Sequence, residues 1–347
     1  MCRAAYGNRG GQMTDQVTVA GVDCGTNSIR LLIARVDEQG LHPLAPRSME
    51  VIRLGEGVDR NHRFADQALE RAYRACRLFA DQLDSYKVDG IRFVATSATR
   101  DAANRNDFEE GVQSILGVRP EVISGTEEAE LSFLGAISVL ESAPRATTTP
   151  KAPYMVVDLG GGSTELVVGG DGNQSPVDRA GSSYSMNIGS VRITERHLLA
   201  DPPTQDQIDQ AVEDVDRHID RAFETVPVAE VGTLVGVSGT VTTMSALALG
   251  CTEYDSRRVD GVAVPVSQAR QTNQEVLHMS RRERRGLSPI HPGRIDVIGG
   301  GALIWDRLLE RISQACPAVQ AGGAYIASEH GLLDGLVLDY GRSLLHS

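Results

Sequence analysis

The sequence predicts an α/β protein of two related lobes, built from mixed sheets with flanking helices and a ligand cleft between the lobes. Three observations carry this. First, an aspartate–glycine turn between two apolar runs occurs twice, once around Asp23 and Gly25 and once around Asp158 and Gly160. An offset of 135 residues makes Val, Asp, Gly, Ser and Leu coincide at 22/157, 23/158, 25/160, 28/163 and 31/166. Second, strand-like and helix-like segments alternate along the chain. Third, each tight-turned strand pair precedes crossover helices, an order that argues against a plain Rossmann fold.

In chain order, residues 17–22 and 29–36 read as a strand pair around the first turn, and 41–54 as a third strand region. Residues 66–83 carry Leu69, Tyr73, Cys76, Phe79, Ala80 and Leu83 at helical spacing. A short strand at 91–95, a helix at 107–116 and a strand at 121–123 follow. Residues 125–140 form a second helix with Ala129, Phe133, Ala136, Ile137 and Leu140 on one face. The Pro- and Thr-rich run 144–153 is the clearest linker, which sets expected lobes of 14–140 and 151–327. Beyond it come a strand at 154–157, a helix at 207–223, and a strand at 233–237 that runs into Ser238-Gly239-Thr240 and a helix. Helices at 294–312 and 329–340 end the chain, the latter within a segment, 328–342, expected to rejoin the first lobe.

A chain of 347 residues is long for one compact unit, which also favours two domains. No apolar run approaches the roughly 18 residues that span a bilayer. The first 16 residues lack an apolar core, so they read as a ragged leader and not a signal peptide, with Met13 as an alternative start. The five cysteines show no CxxC spacing, which fits reduced thiols in a cytoplasm. A net charge of −12 argues against a general nucleic-acid binder, while a polyanionic substrate stays compatible wherever arginines cluster.

The second turn, Asp158 to Glu165, is the strongest chemical signal. Gly160, Gly161 and Gly162 let the backbone approach a ligand closely, and successive amides can then point into one concavity and bind an anion. Ser163 and Thr164 add hydroxyls, and Asp158 and Glu165 are hard oxygen ligands suited to Mg²⁺ beside phosphate oxygens. No Gly-Lys-Ser/Thr follows, so this is not a Walker A loop. The first turn repeats the design with Thr26, Asn27 and Ser28, and Arg30 takes the place of Glu165. Thr96 to Arg100 follow a buried strand, where Arg100 suits either bidentate phosphate binding or a solvated helix end. Glu127 and Glu128 in the first turn of the 125–140 helix favour its dipole, and Glu128 is equally placed to activate water near bound phosphate. Ser238 to Thr242 read as a third cleft wall or as a helix cap. The run Arg281 to Arg285, with Arg257, Arg258 and Arg294, reads as an anion guide or as a solvated face. The eight histidines show no metal or triad spacing.

The ordered motifs DCGTNSIRLLI (23–33), ATSATRDA (95–102), ISGTEEAELSF (123–133), VDLGGGSTELV (157–167), VSGT (237–240) and SEHGLLDGL (328–336) resemble the exopolyphosphatase and guanosine pentaphosphate phosphohydrolase family. The resemblance covers nearly the whole chain, in the family's short, two-domain form. It implies two actin-like, ribonuclease H-like lobes around a phosphate cleft, and Mg²⁺-dependent removal of the terminal phosphate of linear polyphosphate. It places the catalytic base at Glu128, phosphate ligands at Arg100, Asn27 and Ser28, and metal and phosphate handling at Asp158 and Glu165. Thr26 stands where many members have serine, which keeps the hydroxyl. The same motifs serve guanosine pentaphosphate as substrate, and they do not separate the two. A homodimer is expected from the family. A kinase of the same fold and a non-catalytic polyphosphate or alarmone sensor are the alternatives of other classes. Gly299-Gly300-Gly301 hints at an adenosine pocket for the kinase, or at close helix packing.

Overall fold

The computed structural model describes residues 16–140, 150–170, 179–320 and 323–347. The expected leader before residue 16, and residues 144–149 of the expected linker, lie outside the described residues.

Two six-stranded mixed sheets dominate the chain. The first holds β1 (Val17–Cys24), β2 (Ser28–Asp37), β3 (Gly40–Pro43), β4 (Ser48–Val51), β5 (Gly90–Ala95) and β6 (Glu121–Val122). Its order is β3-β2-β1-β5-β6, with β4 also pairing with β2. The second holds β7 (Tyr154–Leu159), β8 (Thr164–Gly169), β9 (Ala180–Met186), β10 (Thr233–Val237), β11 (Val262–Pro265) and β12 (Ala324–Ala327), in the order β11-β12-β10-β7-β8-β9.

The sheets repeat one plan. In each, a tight antiparallel pair (β1/β2 and β7/β8) is flanked by a parallel strand reached through a crossover (β5 and β10), followed by a second parallel strand (β6 and β12). β7 and β8 are buried along their whole length because helices or strands cover both faces, which is why they read as near-continuous apolar runs. The expected single strand region at 41–54 is in fact two short strands, β3 and β4, which pair one after the other along β2 with a break at residues 44–47.

Two helices form the layer between the sheets. Leu332–Leu345 packs Leu333, Val337 and Leu338 against Val19, Leu32, Ala34 and Val36 of the first sheet. Gly125–Leu140 packs Phe133, Ala136 and Ile137 against Val156, Val167 and Val235 of the second sheet. The helix that carries Glu128 thus rests on the opposite sheet from the strands that precede it in sequence. Helices Asp66–Leu83 and Arg105–Leu116 cover the outer face of the first sheet, and Gln205–Thr225, Ser238–Ala248, Val266–His278 and Ile298–Ala315 enclose the larger core on the second.

The two middle helices touch through glycine. A Cβ at Gly335 would overlap the Leu131 carbonyl oxygen, and one at Gly135 would overlap the Gly331 carbonyl. These are backbone contacts and cannot yield as a side chain would. Gly335→Ala is predicted to lose about 1–3 kcal/mol of stability by overpacking, measured by urea unfolding. A loss within about 0.5 kcal/mol, typical of a neutral surface change, would contradict this packing.

Candidate active site

Both turns are closed by the same hydrogen bond. The Gly25 N–H donates to the Ser28 carbonyl and the Gly160 N–H to the Ser163 carbonyl, each at 3.0 Å. Strand register sets Asp23 opposite Arg30 and Asp158 opposite Glu165. The closing bond uses up the Gly160 amide, which corrects the expectation that this amide binds phosphate. Among the described residues, the N–H groups of Gly161, Gly162 and Ser163 donate to no backbone carbonyl.

Their direction is fixed from behind. The helix Ser190–His197 begins under the turn, and its first amides would otherwise lack partners. Ser190 N–H donates to the Gly160 carbonyl at 3.0 Å, and Val191 and Arg192 N–H donate to the Gly161 carbonyl at 2.9 and 3.2 Å. The Arg192 Nε donates to the Gly162 carbonyl at 2.8 Å. A planar trans peptide points its N–H opposite its carbonyl. Holding these three carbonyls therefore aims the amides of Gly161, Gly162 and Ser163 the other way. This helix and β9 were invisible in the sequence reading, because their apolar residues are few and irregular.

A cleft of about 520 Å³ opens in front of the turns. Thr26, Asn27, Ser28, Gly160, Gly161, Gly162, Ser163, Asp158 and Glu128 all line it, together with Asp23 and Arg30. Arg100 and Glu165 do not line it. Arg100 Nη1 donates to Glu128 Oε2 at 2.8 Å and to the Ile123 carbonyl at 2.9 Å, so the structure places it behind the expected base instead of on the open cleft. Glu165 is fully buried, with Oε1 accepting from Ser185 Oγ at 2.7 Å. The β7/β8 register sets it on the same sheet face as Asp158, close enough for Glu128 and Asp158 to act on its charge, and its carboxyl is taken up by Ser185, its partner on β9.

Glu128 and Ser132 lie one helical turn apart and work on the same side. The Ser132 Oγ donates to Asp158 Oδ2 at 2.5 Å. Burial pushes the Glu128 carboxyl up to about 7, with Arg100 opposing and Asp158 and Asp23 adding to the rise. Burial lifts Asp23 to about 6, with Arg30 opposing. Burial also raises Asp158, against the Ser132 hydrogen bond, and raises Glu165 strongly, helped by Glu128 and Asp158. Four desolvated acids that repel one another face or back one cleft. The Asp23 Oδ1 is buried without a hydrogen-bond partner.

The third wall is real: Ser238, Gly239, Thr240 and Thr242 line the cleft, and Ser238 holds a left-handed backbone at φ 79° while its hydroxyl supports Asp158. From the basic run, Arg284 is buried and donates to the Val276 and Leu277 carbonyls, so it is structural. Arg294 does line the cleft, and burial and Arg30 lower it to about 10. Arg47, absent from the sequence reading, also lines the cleft and pairs with Asp334. Gly299, Gly300 and Gly301 let their helix press against Arg284, Ser190 and Thr240, which is the close packing that their sequence also suggested. Among the described residues no helix is long and apolar enough to cross a membrane.

Comparison with known proteins gives the family. The model of the Ppx/GppA phosphatase family matches residues 32–339. Exopolyphosphatase 2 of Mycobacterium tuberculosis is 42% identical over 329 residues, which cover 92% of this chain and 97% of that protein. The crystal structure of an exopolyphosphatase-like protein is 61% identical, covers 95% of this chain and 99% of its own, and superimposes with a TM-score of 0.89. A Ppx/GppA enzyme of Aquifex aeolicus is 27% identical with a TM-score of 0.73, covering 94% of this chain and all of its own. With the duplicated turn, the flanking acids and these similarities in agreement, the chain belongs to the Ppx/GppA phosphatase family.

Proposed function

We propose that this protein is an exopolyphosphatase, which hydrolyses the terminal phosphoanhydride of linear inorganic polyphosphate with water as nucleophile. The observation that carries this reading is Glu128: a carboxylate on the wall of an amide-lined cleft, held at about 7 and anchored through one oxygen to Arg100. A general base works best with a pKa near the working pH. The terminal phosphate is gripped by the amides of Gly161, Gly162 and Ser163, with Thr26, Asn27 and Ser28 on the facing turn. Glu128 orients an in-line water through Oε1 and takes its proton. Arg100 acts through Glu128, holding Oε2 so that the other oxygen faces the cleft.

A divalent cation fits this donor set. Hard carboxylate oxygens converge, one of them the unpartnered Asp23 Oδ1, and the mutual repulsion of the acids is what a dication relieves. Asp158 and Asp23 would hold Mg²⁺ at the cleft, with Glu165 behind them as a supporting charge. No three acids, histidines or cysteines among the described residues form a cage on their own, so phosphate oxygens and water would complete the shell. When bound, Mg²⁺ supplies positive charge that neutralises the phosphoryl oxygens. Buried free cysteines at 24, 76, 251 and 316 support a reducing, cytoplasmic setting, and the prevalence of two-fold assemblies supports a homodimer.

Glu128→Gln keeps shape and removes the base. Phosphate release from polyphosphate should fall about 10²–10⁴-fold with the melting temperature retained, and near wild-type turnover would sink the assignment. The pH profile gives a second check. Below its pKa Glu128 holds a proton and cannot accept one, so kcat/KM should rise with pH through about 7 and then level off. The same limb persisting in Glu128→Gln would assign it to another group.

A further inference from the structure

The geometry points to Arg192 as a positioning residue that locks the phosphate-binding turn to the opposite lobe; this rests on the amide-cradle reading above. Arg192 is 9% exposed, and behind the glycine turn its guanidinium contacts residues of both lobes. On its own side, Nε donates to the Gly162 carbonyl at 2.8 Å. Behind the cleft, on the opposite lobe, Nη1 reaches Asp59 Oδ1 at 2.5 Å, and Nη2 reaches Asp101 Oδ2 at 2.5 Å and Ser97 Oγ at 3.1 Å. Asp59 belongs to the short helix Val58–Asn61, and Asp101 ends the short helix Ser97–Asp101.

Each contact has a consequence for the site. The Gly162 carbonyl fixes the Ser163 N–H, which faces the cleft. The Asp101 contact holds the same five-residue helix that carries Arg100, and Arg100 holds Glu128. One guanidinium therefore ties the cradle on the second lobe to the first-lobe helix whose Arg100 steers the base. The planar fork holds four acceptors from three separated nitrogens, a spread that the single ammonium of lysine does not span. Neighbouring contacts strengthen the clasp: Arg196 grips both oxygens of Asp59 at 2.6 and 2.8 Å, and the Gly57 N–H donates to Glu195 at 3.1 Å. Burial would raise Asp59, yet Arg196 and Arg192 hold its carboxyl below the usual range.

The glycine turn is shaped to accept this closure. A Cβ at Gly162 would press on the Thr26 and Ser97 hydroxyls at 2.6 and 2.7 Å, and one at Gly161 would meet Thr26 Cβ at 3.0 Å. These neighbours belong to the opposite lobe, and neither glycine has a positive φ. Close approach, and not backbone conformation, calls for glycine at both positions.

Truncation of the side chain tests the proposal. Arg192→Ala leaves a slot walled by two carboxylates, the Ser97 hydroxyl and the Gly162 carbonyl, which suits free guanidinium. The variant should lose about 10²-fold in kcat, the scale of a small misplacement of catalytic groups. Added guanidinium at concentrations far below denaturing should restore part of it with saturation. Arg192→Lys should fold as wild type, lose turnover, and show no rescue because its own side chain occupies the slot. Wild-type turnover in either folded variant, or a loss in Arg192→Ala that guanidinium leaves untouched, would overturn the assignment. If wild-type protein releases no phosphate from polyphosphate, the functional reading falls on its own. Arg192 is then judged by orthophosphate binding in calorimetry, expected to weaken in Arg192→Ala and return with guanidinium; unchanged affinity would refute the role.

Discussion

The site depends on the fixing of three carbonyls. Gly160, Gly161 and Gly162 turn their C=O groups onto the start of the Ser190–His197 helix, and that leaves the next three amides facing the cleft. A flexible glycine run in solution would present carbonyls and amides alike to an anion. Here the helix supplies donors that would otherwise be unsatisfied, and the turn supplies acceptors, so each corrects the other's deficit. Gly189 belongs to the same joint, since a side chain there would strike the Gly161 backbone.

The second organising feature is the set of buried acids. Asp23, Glu128, Asp158 and Glu165 come from both sheets and from the helix between them, and burial raises all four. Carboxylates in such numbers oppose folding at neutral pH and oppose a bare phosphate as well. They make sense when cation and phosphate arrive together. The two copies of the duplicated turn divide this work. The second gives the amide cradle, while the first gives a wall that presses on it through Thr26. The base lies in neither, on a helix that rests against the second sheet and is steered by Arg100 from the first.

Much of this was legible in the sequence. The 135-residue repeat foretold the repeated sheet plan, and even the hairpin hydrogen bond recurs at that offset. Continuous apolar runs marked the buried strands. Residues close to the turns, from Thr26 to Ser28 and from Asp158 to Ser163, line the cleft because a tight turn at a strand end has nowhere else to face. What stayed hidden depends on side-chain direction and long-range partners. Arg100 and Glu165 carry the right chemistry, but Arg100 is taken up by Glu128 and Glu165 by Ser185, and neither lines the open cleft. Arg192 lies in a short helix with no apolar stripe, and its partners are about 30 to 130 residues distant in sequence. Spacing rules see neighbours on one element, and such a clasp lies beyond them.

The most direct test of the account is parallel measurement of what the wild-type protein releases. Long polyphosphate, short polyphosphate, guanosine pentaphosphate and ATP would each be incubated with and without Mg²⁺, and orthophosphate would be quantified. The account predicts Mg²⁺-dependent orthophosphate from polyphosphate, removed from chain ends, at a rate well above that from ATP. Release from guanosine pentaphosphate alone would move the substrate to the nucleotide. Tight binding of polyphosphate with no release at all would contradict the hydrolase.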